Sequence, residues 1–203
     1  EPGAIVKVAP DVKINIEDGA VLNAQGSADS PIVFTSLTDD STGGDTNLDG
    51  SGSAPEPGDW LGLEAFGSGQ LNTNEFVEIS YAQIAHGGTV SQDEDWTGTC
   101  IHHVVEEVMV PDGVTLTVEP GAAVKFDDAL GITVQSGGQL VAKGEVAQTI
   151  SFTSVRDDFY GGDTENDALT REPLAGDWGG IKFESTLNEM STLLDNVLIR
   201  YGG

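Results

Sequence analysis

The 203-residue sequence predicts an all-β chain built as a parallel β-helix, a solenoid of short strands from which long acidic loops project. Three observations carry this. Runs of about five residues, rich in Val, Ile and Thr and alternating with period 2, recur at roughly ten-residue spacing between Gly- or Asp-rich turns. No window sustains apolar spacing at 3.6, and 188–195 comes nearest. A long unit also occurs twice, Glu1-Pro2-Gly3-Ala4-Ile5-Val6-Lys7 returning as Glu119-Pro120-Gly121-Ala122-Ala123-Val124-Lys125. A repeat stacks like strands on like, which favours the solenoid. The alternative is an antiparallel β-sandwich array, with Asp18-Gly19 and Asp112-Gly113 as hairpin turns.

Each element follows from the same signals. Residues 115–126 read as strand, Pro-Gly turn, strand. In copy one, strands are expected over 12–16, 21–24 and 31–36; in copy two, over 132–134, 140–142 and 149–154. The copies match without a gap from 1–62 onto 119–180 at an offset of 118. Beyond Gly62 the offset reads 115, which sets Ile84-Ala85-His86-Gly87-Gly88 on Ile199-Arg200-Tyr201-Gly202-Gly203 and His86 on Tyr201. Unit one then spans 1–88, without a lead-in strand and with an acidic loop at 37–59. Residues 89–118 connect and supply lead-in strands, and unit two spans 119–203 with its loop at 155–177. The whole reads as one continuous solenoid, a window from a longer array.

Residues 108–121, Val108-Met109-Val110-Pro111-Asp112-Gly113-Val114-Thr115-Leu116-Thr117-Val118-Glu119-Pro120-Gly121, resemble a segment of bacterial extracellular right-handed parallel β-helix repeat proteins. In that group a strand, a Pro-x-Gly turn and a Thr-Leu-Thr-[Ile/Val]-Glu-Pro-Gly piece precede a Val-Lys-Phe strand. The Gly-Asp-Trp-x-Gly-[Ile/Leu] and [Ile/Val]-x-Tyr-Gly-Gly pieces are similar to the same group. The resemblance implies a right-handed helix and secreted or surface-attached proteins of several domains, and it implies no single activity.

Composition narrows the partners. Thirty-four Asp and Glu against eight Lys and Arg give a net charge of −26. Nucleic acid is excluded as a partner, because phosphate contacts need a basic face. No apolar run approaches the ~20 residues of a membrane span, so no membrane insertion is expected. Such a surface attracts cations instead. Cys100 is alone, so no internal disulfide forms.

The loop at 37–59 carries the most specific motif. Asp45-Thr46-Asn47-Leu48-Asp49-Gly50, five residues and then Glu56 satisfy the calcium-loop pattern D-x-[DN]-x-[DN]-G-x5-E. Calcium takes six to eight oxygens, alternate residues of a tight loop supply them, and Gly50 permits the turn. Asp45, Asn47, Asp49 and Glu56 are the candidate ligands. In copy two, Asp163, Glu165 and Asp167 keep a degraded version without the glycine. Asp39 and Asp40, with Asp157 and Asp158, are additional candidates.

Trp60 and Trp178 end the loops as packing caps, or as sugar-stacking platforms under a carbohydrate-binding reading. His102 and His103 are adjacent on a strand and face opposite ways, so they do not share one ion. With Cys100 and His86 they read as ordinary surface, corner or core residues. The eight cations form no cluster and Lys7 and Lys125 obey the repeat, so catalysis is not expected. The function expected is an extracellular or cell-surface structural or adhesive repeat protein, such as a filament, stalk or array component. It would be calcium-stabilised and self-associating, or stacked on neighbouring repeats of its own kind. The alternative is a carbohydrate-binding or polysaccharide-processing β-helix, a lyase or hydrolase.

Overall fold

The computed structural model describes residues 1–165, 167, 170–184 and 192–203. Among them there is no helix, and every strand pairing of defined register is parallel. The chain divides into two compact units, Glu1–Ile84 and Ala85–Gly203, so the segment 89–118 belongs to the second. In chain order the strands of the first are β1 (Ile5–Val8), β2 (Ile14–Ile16), β3 (Val21–Asn23), β4 (Ile32–Ser36), β5 (Leu63–Ala65), β6 (Gln70–Asn72) and β7 (Val77–Ile79). After β8 (Gln83–Thr89) come β9 (Glu94–Trp96), β10 (Ile101–Val110), β11 (Thr115–Val118), β12 (Ala123–Phe126), β13 (Gly131–Val134), β14 (Gln139–Lys143), β15 (Ile150–Ser154), β16 (Gly180–Phe183), β17 (Leu193–Asp195) and β18 (Val197–Ile199).

Successive strands do not pair with each other. In the first unit the ladders run β1-β4-β7, β2-β5 and β3-β6. In the second they run β16-β13-β10-β12-β15-β18 and β17-β14-β11-β9, with β8 also on β10. Asp18-Gly19 and Asp112-Gly113 do turn, closed by Ala20 N–H to Glu17 O (2.9 Å) and Val114 N–H to Pro111 O (3.2 Å). They are corners between ladders, and the antiparallel sandwich is thereby overturned: β2 pairs with β5 and β3 with β6. Paired residues lie 22 to 28 positions apart where no acidic loop intervenes, as in Ile101 with Ala123 and Ala123 with Ser151. Where one does, the separation rises to between 45 and 52, as in Ile14 with Leu63 and Val141 with Leu193. Each loop therefore leaves and re-enters without shifting the ladder it interrupts.

Short strands suffice in the second unit because most of them, β10 to β15, bury their inward side chains against one another. Val124, Phe126, Val134, Leu140, Ile150 and Phe152 are wholly buried in the second unit. Trp178 lies flat on Phe126, with ring centroids 4.2 Å apart, and its Nε1–H donates to Arg200 O at 2.6 Å. Trp60 repeats the hydrogen bond in the first unit, donating to Ser80 O at 2.9 Å. Parallel bridges join Trp60 to Ala82 and Trp178 to Gly202.

These bridges correct the repeat register. Ile79-Ser80-Tyr81-Ala82 is the counterpart of Ile199-Arg200-Tyr201-Gly202, and Tyr81 and Tyr201 share a left-handed φ of 60° and 59°. Copy two is thus longer after its Gly-Asp-Trp element, not shorter, and Tyr81 rather than His86 stands at Tyr201. Ile79 keeps the Ile-x-Tyr spacing and Ile84 the trailing Gly-Gly pair, and the Trp bridges and shared tyrosine φ decide for Ile79. Residues 188–191 of the weakly helical stretch lie outside the described residues, and 193–195 are strand β17.

Replacing Trp178 with Ala removes the Phe126 stack and the bond to Arg200 O. It is expected to cost about 3–5 kcal/mol, read as a lowered denaturation midpoint of the second unit; a loss under ~1 kcal/mol would refute this packing role.

Candidate metal centre

Each acidic loop is fastened at its base by residues that the repeat duplicates. In the first, Thr35 Oγ1 donates to Asp39 Oδ2 (2.7 Å) and Ser36 Oγ to Asp59 Oδ2 (2.7 Å). In the second, Thr153 Oγ1 donates to Asp157 Oδ2 (2.6 Å) and Ser154 Oγ to Asp177 Oδ2 (2.9 Å). The hydroxyls of the Phe-Thr-Ser strand end thus hold both the exit and the return of the loop. Lys7 adds an ammonium that donates to Asp39 O at 2.7 Å and to Gly44 O. Lys125 donates likewise to Gly162 O and to Thr164 Oγ1 at 2.8 Å. The loop lies so close that a Cβ on Gly161 would meet Ile101 Cδ1 at 3.0 Å, and the left-handed φ of 79° there suits glycine alone. Covering buries Lys125 completely, and desolvation pushes its pKa down to about 8 against the pull of Asp158, Asp157, Asp163 and Glu165.

Within the first loop, carboxylate oxygens of Asp40, Asp45 and Asp49 lie within 4.8 Å of one another. That is the diameter of a shell of radius about 2.4 Å, the calcium–oxygen distance. The turn is wound by Asp45, whose two oxygens accept Asp49 N–H (3.2 Å) and Gly50 N–H (2.9 Å). Asn47 Nδ2 donates to Asp49 Oδ2 (2.9 Å) and Ser53 Oγ (3.0 Å), which leaves its Oδ1 turned away as an acceptor. Asn47 Oδ1 and Asp40 Oδ1 are both buried atoms with no hydrogen-bond donor. A buried acceptor without a donor is costly, and a cation satisfies it. The hydroxyl of Ser53, first, and backbone donors Gly52 and Ser53 hold the Asp49 carboxyl below its usual range.

The motif's residues are therefore only partly gathered. Asp45 and Asp49 meet, and Asp40, 5 positions ahead of the motif, joins them, whereas Glu56 is exposed and outside the converging group. Asp39 and Asp157 are buried at the loop bases, Asp39 with both oxygens and Asp157 with Oδ2 already bonded to hydroxyls.

The second loop resembles the first in its winding, with Asp163 Oδ1 accepting Asp167 N–H at 3.1 Å. Its charge balance differs. Arg171, at the repeat position of Ser53, pairs with Glu165 Oε1 and approaches Asp167 Oδ2 at 3.4 Å. A guanidinium thus stands among the acids where the first loop has a hydroxyl. Asp158 is pushed up, by desolvation first.

The aromatic and histidine candidates fall elsewhere. Trp60 and Trp178 are both 0% exposed, so neither has a free face for a sugar ring. Cys100 is buried. His103 pairs with Asp127 at 2.7 Å on one face of β10, while His102 points into the core, stacked on Trp96. What adjacency hid is that His102 meets His86, 16 residues away, at 2.9 Å. Burial pushes His102 down to about 3. No protein-family model matches the chain, and neither a curated protein nor a solved structure does.

Acid should therefore destabilise the second unit. Unfolded, His102 takes a proton below its ordinary 6.5, while folded it stays neutral until about 3. Between pH 6 and 4 this amounts to roughly 3 kcal/mol of lost stability, at about 1.4 kcal/mol per unit. Denaturant midpoints measured with chelator present should fall with acid more steeply in wild type than in His102→Gln; parallel curves would show that His102 is not the group responsible.

Proposed function

We propose that the chain is a calcium-stabilised structural segment of a right-handed parallel β-helix, serving outside the cell or on its surface and carrying no catalytic site. The single observation behind the metal is the first loop, where Asp40, Asp45 and Asp49 converge beside two buried acceptors that lack donors. An all-oxygen, carboxylate-rich set suits calcium over softer ions, and a surface of charge −26 draws cations to it. The β-helix reading rests on parallel ladders whose partners recur about two dozen residues apart, and its hand on the crossover rule for parallel strands. Lys7 and Lys125 stand alike at the two loop bases, and the second loop adds a cation of its own, Arg171, that neutralises part of what a metal would neutralise in the first.

Self-association fits the edges. Strands β16, β17 and β18 end their ladders and leave Phe183, Leu193, Leu194 and Ile199 between 36% and 49% exposed. Unpaired edges with apolar side chains are templates for further strands. Repeats of the same kind, or second copies, are the partners proposed.

A second reading, saccharide binding, draws on a cleft of about 410 Å3 in the second unit, where exposed Phe159 and half-buried Tyr201 flank Asp158 and Glu172. Aromatic faces beside carboxylates suit a sugar ring. Its arginines are engaged, Arg156 with Asp128 and Asp177 and Arg200 with Asp157. Retention on glycan arrays that disappears in Phe159→Ala would turn the assignment this way.

For calcium, the test is thermal unfolding after chelation with the ion titrated back. Wild type should gain about 2.7 kcal/mol at a free calcium a hundred times its Kd. The double variant Asp45→Ala, Asp49→Ala should lose that gain, and Asp163→Ala, Asp167→Ala should keep most of it. No shift in wild type would sink the calcium reading.

A further inference from the structure

The two copies differ as a group around one cleft. Thr38, Ser41, Thr42, Ala54 and Ser80 of the first copy stand where the second has Arg156, Phe159, Tyr160, Glu172 and Arg200. All of the latter but Tyr160 line the cleft of about 410 Å3 in the second unit. The rest of its wall keeps the repeat, with Asp157, Asp158, Pro173 and Tyr201 at the positions of Asp39, Asp40, Pro55 and Tyr81. Small side chains are thus exchanged for aromatic and charged ones where the surface is concave. The core has no use for one of them, since Phe159 is 80% exposed.

The polar groups of the cleft are unequally engaged. Arg156 pairs with Asp128 Oδ2 at 2.5 Å and with Asp177 Oδ1 at 3.0 Å. Arg200 Nη1 lies 3.3 Å from Asp157 Oδ2, and its Nη2 donates to Tyr201 Oη at 2.6 Å. Its guanidinium also stands over the rings of Tyr201 and Tyr160, 4.7 Å and 5.4 Å from their centroids. Asp158 and Glu172, by contrast, have neither a hydrogen-bond donor nor an ion-pair partner among the described residues. A sugar hydroxyl would therefore meet guanidiniums already engaged. A cation whose every polar hydrogen donates matches the groups left over, two carboxylates and the face of Phe159. Arg200 shows the arrangement within the cleft itself: a guanidinium held between a carboxylate, Asp157, and aromatic rings. Asp158 and Phe159 present the same two groups, with Phe159 set edge-on to Tyr160 at 4.9 Å between centroids. Among the described residues no three acids converge there as Asp40, Asp45 and Asp49 do, so the cleft suits an organic cation over a metal ion.

We propose that this cleft binds an arginine side chain presented by a basic peptide segment of a partner protein, with Phe159 stacking on the guanidinium plane and Asp158 and Glu172 accepting its N–H groups. Arginine is favoured over lysine because a planar guanidinium can stack on a ring and donate to carboxylates at its edge at the same time. The site does not depend on calcium in the first loop. The test is an NMR titration of the 15N-labelled full chain, in excess calcium and about 0.15 M salt. The probes are acetyl-Gly-Arg-Gly-amide and its citrulline counterpart, which keeps the planar shape and loses the charge. The arginine peptide should shift the amide resonances of Arg156 to Tyr160, Glu172, Arg200 and Tyr201 saturably, and the citrulline peptide should bind at least about 10-fold more weakly. Asp158→Asn and Glu172→Gln should each weaken binding by about 10-fold or more. Phe159→Ala, which leaves the net charge and the melting temperature unchanged, should weaken it by about 2- to 30-fold. A chain of charge −26 attracts any cation, so Asp29→Asn, which removes an exposed acid of the first copy, sets the baseline and should bind as wild type does. No saturable shift, equal affinity for the citrulline peptide, or a loss in Phe159→Ala no larger than in Asp29→Asn would overturn the proposal. So would a glycan that moves these resonances where the arginine peptide does not. Should Asp158→Asn fail to fold, the citrulline comparison on wild type and the Phe159→Ala variant decide the matter by themselves.

Discussion

The structure depends on holding long acidic loops against a wall of short strands without disturbing the ladders. A lysine ammonium does this in each copy, half-buried at Lys7 and fully buried at Lys125. Lys7 and Lys125 leave a strand on its outer face and donate to loop backbone oxygens. In a chain with eight cations against thirty-four acids, placing one at each loop base matters more than any surface pair. Exposed pairs such as Lys13 with Glu64 contribute little, since water and salt screen them. Burying Lys125 costs desolvation, visible in its depressed pKa, and the hydrogen bonds to Gly162 O and Thr164 Oγ1 offset that cost.

Around that ammonium, hydroxyls and tryptophans complete the anchor. Ser36 and Ser154 hold the returning Asp59 and Asp177, and the next residue, Trp60 or Trp178, re-enters the core and bonds the carbonyl of Ser80 or Arg200. The loop is therefore fixed at both ends by strand residues and free to vary between. That freedom is used: the first loop wraps Asp45 and Asp49 toward Asp40, whereas the second admits Arg171 among its acids. The same scaffold thus supports one loop whose acids converge on one another and another that admits an arginine among them.

Much of this was legible in the sequence because it is local. Period-2 runs and Asp-Gly or Pro-Gly breaks reflect backbone preferences of neighbouring residues, and the expected strands at 12–16, 31–36, 132–134 and 149–154 are those observed to within two residues. The repeat exposed the equivalence of Lys7 with Lys125 and of Trp60 with Trp178. It misplaced His86 because the Gly87-Gly88 pair was matched to Gly202-Gly203 in preference to the Ile-x-Tyr spacing of Ile79 and Tyr81, and the Trp bridge that selects Ile79 is invisible to a pattern.

What the sequence alone determined is the class of chain: strands without helices, corners at Asp-Gly, two acidic loops and their tryptophan caps. Tertiary structure decided the rest. Asp18-Gly19 is a corner and not a hairpin because β2 and β3 find their partners 49 residues away, a choice that no five-residue stretch encodes. Asp40 replaces Glu56 in the first loop, Arg171 enters the second, and His86 meets His102 across 16 residues, each because folding brings to within a few ångströms groups that lie outside one another's local pattern. Local propensity sets the dihedral angles of each element; which side chains converge follows from the parallel pairing of strands distant in sequence.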